Sequence, residues 1–321
     1  MFQQLTNAIA AQPFFHTLHY GILSMVLVGS SWCLTGLVMG DAPKRNLDAG
    51  IVQLFGALLS LLLSLLILFA TGGFPPVPTQ VFLLTCGAIA LGNILNVFML
   101  TEMSRAMQIG PNGIVWSIIQ SAMVFPYIGG ILFFHVQVTI LRTIGILLLL
   151  TSLVGFGLCK DTTGKARKGW RIHAFIGLAL AAIQQNLTTA PSYFEAAKAV
   201  TSIMRTCSGI VGTLIGVILY LTFRKKTGAV AEIRAAVRNT VLWKYLAALQ
   251  TFSIFTTYLL FFPGLNILAD AGLGNISYPM MVGSCIIAFT LTSAIILKEK
   301  ITSFQCMALL LCVAGLVCIC L

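Results

Sequence analysis

Charged side chains are scarce in this 321-residue chain, and no acidic one falls in the middle of an apolar run. Charged residues make up 8% of the chain and hydrophobic residues 58%, whereas a soluble domain carries about 25% charged residues. This composition excludes a soluble globular domain and indicates an integral membrane protein. All eight acidic residues lie at or beyond the ends of apolar runs: Asp41, Asp48, Glu102, Asp161, Glu195, Glu232, Asp270 and Glu299.

The chain also lacks the short motifs of common enzyme classes. It has no His-Glu-x-x-His, no phosphate-binding Gly-Lys-Ser/Thr and no Gly-x-Ser-x-Gly. Its four histidines fall at the ends of predicted helices, and its nine cysteines show no metal-ligand spacing. We therefore expect a protein that is not an enzyme, with no catalytic residue, no cofactor and no metal site, whose thiols pack as small apolar groups.

Long apolar runs, by contrast, are abundant. A membrane-spanning helix needs about 20 apolar residues, and the sequence predicts an all-α membrane protein with ten such helices. Residues 1–17 carry no basic start and no small-residue cleavage site, so we expect a short interfacial lead rather than a signal peptide. The predicted spans are about 18–38, 50–70, 80–101, 113–134, 140–158, 172–190, 203–223, 243–262, 275–297 and 303–321.

The net charge of +11 has its simplest explanation in membrane topology rather than in nucleic-acid binding. Sixteen of the 19 Lys and Arg residues lie in the loops that follow odd-numbered spans, and the other side holds only Arg142, Lys198 and Arg205. Loops rich in Lys and Arg stay in the cytoplasm. We therefore expect cytoplasmic basic loops, both termini outside, and a location in the cell membrane, with the bacterial inner membrane favoured.

The sequence pattern at the end of the first half of the chain is repeated at the end of the second half. Residues 110–158 and 274–321 each form an apolar run, a short turn and a second apolar run. We expect a first five-helix repeat (18–158), a basic linker (159–171) and a second repeat (172–321), since internal symmetry is typical of transporters. Chance similarity between apolar helices is the alternative. The alignment sets Thr139 on Thr302, Asn112 on Asn275 and Ser121 on Ser284.

Amide and indole side chains inside the predicted spans are the candidate functional groups. Asn93 and Asn96 share one helix face, as do Trp116 and Gln120. Amides in a bilayer are costly unless they are paired or face water. Interhelical hydrogen bonding is one reading, and the lining of a polar cavity is the other. The remaining candidates are Trp32, Gln184, Gln185 and Gln250.

Two five-helix halves, each closed by a helix–turn–helix, resemble the drug/metabolite transporter superfamily, EamA-like group. The turn Lys298-Glu299-Lys300-Ile301-Thr302 is similar to that group's Glu-x-Leu/Ile-Thr turn, although Val136 stands where the first half would carry Glu. Gly92-Asn93 and the basic pair Lys44-Arg45 resemble the sugar-transporting branch, which includes L-rhamnose–proton symport. The resemblance implies two inverted repeats around a central polar cavity and alternating access.

These features together predict a secondary transporter of a small, polar and neutral metabolite, with a sugar favoured. An exporter of amino acids or drugs is the alternative, and a membrane scaffold is a more distant one. The bilayer, the small-molecule substrate and candidate co-transported protons are the expected partners, without nucleic acid, for a monomer or homodimer. Neutral solutes need amides and an aromatic face: Trp32, Asn93, Asn96, Trp116, Gln120, Gln184, Gln185 and Gln250.

Proton coupling has few candidate carriers in the sequence. They are Glu102, Glu195 and His19. Arg105 lies three residues after Glu102, on the same helix face, where it can pair with it. None stands in the middle of a predicted span, where desolvation raises a carboxyl pKa toward neutrality. We therefore expect facilitated diffusion or exchange, or at most weak proton coupling through Glu195 or His19.

Overall fold

The protein is an all-α, membrane-embedded chain. A computed structural model describes residues 17–71, 76–158, 169–224, 228–295 and 302–321. These residues are helical almost throughout and contain no strand, and eight of their helices are long and apolar enough to cross a membrane. Apart from residues 17, 169–171 and 302, the predicted lead, linker and final hairpin turn lie outside the described residues.

Ten long helical segments follow one another in the described residues, and each overlaps one predicted span. Between them lie shorter elements, namely the 3₁₀ turns Ala42–Arg45, Ala190–Tyr193 and Gly274–Ile276 and the helices Glu195–Lys198 and Ala229–Arg238. The long segments are α1 (Leu18–Asp41), α2 (Ala49–Ala70), α3 (Thr79–Ile109), α4 (Asn112–Phe134), α5 (Ile140–Leu158), α6 (Trp170–Thr189), α7 (Ser202–Arg224), α8 (240–270), α9 (Ser277–Ile295) and α10 (Ser303–Cys320).

Two of these segments, α6 and α8, are not among the eight apolar spans. Segment α6 has 20 residues, but its polar run Gln184-Gln185-Asn186 lowers its hydropathy. Segment α8 is divided by a π-helical turn, Thr256–Phe261, into helices of 16 and 9 residues. Breaks of this kind free backbone carbonyls and are common at functional sites.

Segment α4 is also interrupted, at the 3₁₀ turn Ser121–Met123. The sequence predicts a kink from Pro126, whose ring crowds the carbonyl four residues earlier and which has no N–H to donate. That carbonyl belongs to Ala122, in the middle of the turn. The break in α4 is therefore encoded locally by Pro126, which follows it in the chain by about one helical turn.

Polar caps fix where several segments begin. The Thr17 hydroxyl accepts a hydrogen bond from the Tyr20 amide at 3.3 Å, and Asp48 accepts from the amide of Gly50 at 2.8 Å. Such side chains satisfy amides that have no partner inside the helix. At α10, Thr302 forms a reciprocal capping box with Gln305.

The same kind of cap opens α5, the segment that the internal alignment sets on α10. There the Thr139 hydroxyl accepts from the Arg142 amide at 3.2 Å, as Thr302 accepts from the Gln305 amide at 3.2 Å. The two threonines that the alignment pairs therefore have the same local role.

Segments α5 and α10 pack on each other through contacts that repeat with the halves exchanged. The internal alignment sets Gly145 on Ala308 and Ser152 on Gly315. A Cβ atom on Gly145 would lie 2.8 Å from the Gly315 carbonyl oxygen, and the Ser152 hydroxyl donates to the Ala308 carbonyl at 2.7 Å. Each of these two contacts is the image of the other when the two halves are swapped.

The larger helix contacts follow the same exchange. Segments α1 to α5 correspond in order to α6 to α10. The contact of α1 with α9 therefore corresponds to that of α6 with α4, the contact of α3 with α6 to that of α8 with α1, and the contact of α7 with α3 to that of α2 with α8. The α4–α5 hairpin corresponds to the α9–α10 hairpin, and the contacts α2–α7 and α5–α10 each join two corresponding segments.

A polar cavity between the two halves as the candidate functional site

A cavity of about 340 Å³ lies between the first and second halves of the chain. Segments α1 to α4 and α6 to α9 contribute to its wall, whereas no residue of the paired segments α5 and α10 does. Its size falls in the range of small-molecule sites, roughly 300–1,000 Å³. All eight residues that the sequence singles out for binding line it: Trp32, Asn93, Asn96, Trp116, Gln120, Gln184, Gln185 and Gln250.

Two indole rings belong to the aromatic part of the wall. The ring of Trp32 lies 5.8 Å from that of Tyr278, and Trp116 stacks on Phe289 at 6.3 Å. A Cβ atom on Gly36 would come within 2.8 Å of the Trp116 ring, so the glycine makes room for the indole. The Trp116 indole Nε1 is buried and has no hydrogen-bond acceptor in the described part of the chain.

Several cavity amides are held in place by neighbouring groups. Gln184 donates to the hydroxyls of Thr188 at 3.3 Å and of Tyr278 at 3.5 Å. Gln250 accepts from the Ser60 hydroxyl, and Asn93 donates to the Ile89 carbonyl at 2.9 Å. These contacts fix part of each amide while the side chain stays at the cavity wall.

Other polar atoms at the wall are buried without a hydrogen-bond partner among the described residues. They include the Gln185 carbonyl oxygen Oε1, the Trp116 Nε1 and the Arg205 Nε. Leaving such an atom unsatisfied costs about 1–3 kcal/mol, and native structures rarely do so without a ligand or water. The cavity wall therefore contains a donor indole, an acceptor amide and a cation whose hydrogen bonding is incomplete.

Arg205 is a charged residue of the wall that sequence reasoning does not select. It groups with the loop charges in the sequence, but it lies in the first turn of α7 and its side chain is 0% exposed. The available signal was its position inside the predicted span 203–223, because a charge within a span marks a functional site.

The candidates for proton coupling, Glu102, Glu195 and His19, are not part of the cavity wall. Glu102 is buried, 3.1 Å from Arg105 Nη1 as expected, and 2.5 Å from Nδ1 of His173. The Glu195 side chain is 89% exposed and pairs with Lys198, and His19 is exposed near the start of α1.

Lys198 connects two surface carboxylates outside the spans. Its ammonium contacts Glu195 at 2.7 Å and also pairs with Asp270. Partial burial disfavours the charged form, but the Asp270 and Glu195 carboxylates outweigh this and hold the Lys198 pKa above its ordinary value. The cluster ties the connection between α6 and α7 to the end of α8.

Within the described ranges, no group of three or more His, Cys, Asp or Glu residues is arranged to hold a metal ion. No family model matches this chain, and neither does any curated protein. A solved structure described only as "Crystal structure of protein" is similar with a TM-score of 0.65 and 12% identity, covering 93% of this chain and 94% of that one. This likeness shows a shared fold over nearly the whole length.

Proposed function

We propose that this protein is a secondary transporter that moves a small polar metabolite, with a sugar-like solute favoured, by alternating access. The convergence of all eight candidate side chains, from both halves, on one cavity carries this proposal. A scaffold would use such amides in scattered pairwise contacts between helices. An exporter of amino acids or drugs is the remaining alternative within transport.

The exchange of contacts between halves supports two repeats in this proposal. Because each half has five segments, an odd number, spanning segments would insert the second half upside down relative to the first. Rocking of one inverted repeat against the other around a central site is the general basis of alternating access. The resemblance to the EamA-like group agrees with this arrangement.

A ligand screen by thermal shift on the purified protein tests the function first. A solute that binds only the folded state stabilises it, by about 2.7 kcal/mol at a hundredfold excess over Kd. The melting temperature rises as a result. We expect a hit among sugars, sugar derivatives or amino acids, followed by counterflow of that hit in proteoliposomes. Binding without counterflow would refute transport.

Replacing Gln120 or Asn93 by Ala is expected to cut uptake of the screened solute about fivefold, because each loses about one hydrogen bond. Protein levels in the membrane should stay close to those of the wild type. Gln108→Ala is the matched control, since Gln108 lies in the same segment as Asn93 but outside the cavity wall. Normal uptake by both cavity variants would show that these amides only connect helices.

The orientation is predicted from the loop charges, with basic loops in the cytoplasm and both termini outside. An alkaline phosphatase fused after Leu321, which is active only outside the cytoplasm, should therefore be active. A green fluorescent protein at the same position should be dark when exported through the general secretory route. The opposite pair of results would invert the orientation.

Transport is expected to run as facilitated diffusion or exchange, because Glu195 and His19 lie outside the cavity wall. An imposed pH gradient across proteoliposomes should change the final level of solute by less than about twofold, which corresponds to roughly 0.4 kcal/mol. Glu195→Gln should behave as the wild type does. Concentrative uptake that Glu195→Gln abolishes would show that this surface carboxylate is the coupling group.

A further inference from the structure

The guanidinium of Arg205 is a buried charge held only by neutral groups. Its Nη1 donates to Ser192 Oγ at 3.2 Å and to Asn266 Oδ1 at 3.0 Å, and its Nη2 donates to the Ala197 carbonyl at 2.7 Å. None of the ion pairs in the described part of the chain involves it. Burying a charge is costly unless an opposite charge or full hydrogen bonding compensates it.

Two of the N–H donors of this side chain are left over. An Arg side chain has five N–H donors, and the three hydrogen bonds above leave the Nε–H and one Nη2–H. Nε is buried and has no partner among the described residues, while Arg205 belongs to the cavity wall. A guanidinium presents adjacent N–H donors that match the two oxygens of a carboxylate.

One face of the guanidinium is also occupied. Its central carbon lies 5.8 Å from the centre of the Phe262 ring, a cation–π contact that covers this face of the planar group. Hydrogen bonds to Ser192, Asn266 and Ala197 hold the guanidinium in place. The side chain is thus oriented before any ligand arrives, which lowers the entropy lost on binding.

We infer that the transported solute carries a carboxylate, which binds the guanidinium of Arg205 at the cavity wall. This inference rests on the proposed function and refines it, because the sequence alone favoured a neutral solute. The amides and the two indoles of the same cavity suit a polyhydroxylated body. The substrate class is therefore a sugar acid, with its carboxylate on Arg205 and its hydroxyls on residues such as Gln185.

Matched pairs of probes test this inference on the purified wild-type protein. The pairs are glucuronate with glucose, galacturonate with galactose, and gluconate with sorbitol, as sodium salts where charged, at fixed pH and ionic strength. We expect at least one acid to raise the melting temperature at concentrations where its neutral partner does not. Sodium acetate serves as the control for a bare carboxylate.

Arg205→Lys should weaken binding of that acid at least about tenfold, because an ammonium keeps the charge but loses the fork. Arg205→Gln should abolish the preference for the acid over its neutral partner. Arg142→Gln is the matched control, since it removes an Arg outside the cavity wall and should leave acid binding unchanged. If Arg205→Gln does not fold, Arg205→Lys and the wild-type pairs still decide the result.

Binding of a neutral sugar as tightly as its acid would overturn the inference and leave the proposed transport function standing. So would an unchanged acid preference in Arg205→Lys and Arg205→Gln, which would make Arg205 a purely structural group. Failure of all three acids, with a neutral or cationic solute found in the wider screen, would also overturn it. Failure of the whole wider screen would instead count against the proposed function.

Discussion

Replacing Gly212 by Ala is expected to prevent α7 from seating on α3 and to lower the stability of the folded protein by about 3 kcal/mol or more. A Cβ atom on Gly212 would lie 2.2 Å from the carbonyl oxygen of Ala90 and 2.7 Å from its Cα. Both are backbone atoms, so no side chain can move aside. Small residues at such contacts let membrane helices approach closely.

The control for this change lies in α3 itself. A Cβ atom on Gly87 would meet nothing within 4 Å, so Gly87→Ala should leave the melting temperature unchanged or slightly raised, since Ala favours a helix. Both variants would be purified in the same detergent and compared by thermal melting and by size-exclusion chromatography. A Gly212→Ala protein with the wild-type melting temperature would mean that α7 and α3 are not packed this closely.

Gly29→Ala should have an effect of the same size at the contact between α1 and α9. There the added Cβ would lie 2.1 Å from the Met281 carbonyl oxygen. Because the two glycines lie in different helix pairs, their effects should add in the double variant if it can be purified.

Replacing Arg105 by Met is expected to lower stability by about 2 kcal/mol, because it removes a cation from a carboxylate that stays buried. The Glu102 side chain is only 5% exposed, and the partner Arg105 is 27% exposed. Removing one partner of a buried pair typically costs about 3–5 kcal/mol, and the partial exposure of Arg105 and the remaining His173 contact reduce that figure here.

A pair of matched variants isolates the role of burial. Arg45 pairs with Asp41 at 2.7 Å, but the two side chains are 55% and 39% exposed, so Arg45→Met should leave the melting temperature unchanged. Glu102→Gln should recover part of the loss in the Arg105→Met background, because a neutral amide needs no counter-charge. Equal effects of Arg105→Met and Arg45→Met would show that Glu102 is better solvated than the structure indicates.

The polar run of α6 shows which part of the site the sequence predicts and which part it does not. Three consecutive polar residues in an apolar helix predicted a special position, but each successive residue turns by about 100° around the helix axis. The structure places Gln184 and Gln185 at the cavity. It directs Asn186 to the Ala182 carbonyl at 2.8 Å and toward the backbone of Gly129.

Composition and local pattern alone determined the membrane class, the helical segments and the break near Pro126. These depend on the length of apolar runs, on caps such as Thr302 and on the missing N–H of proline, all of which act within a few residues. The candidate residues for binding could also be selected, because an amide or indole inside a span is costly wherever the span lies.

Only the tertiary structure decided which of those groups meet and which charge joins them. Arg205 stands near the start of the predicted span 203–223, and because the start of a helix is uncertain by a few residues, the sequence alone does not separate it from the loop charges. Its burial depends on Ser192, Asn266 and Phe262, which come from two other elements, the turn Ala190–Tyr193 and α8. The close approach of Gly212 to Ala90 likewise joins residues far apart in the chain, and no local pattern encodes such a contact.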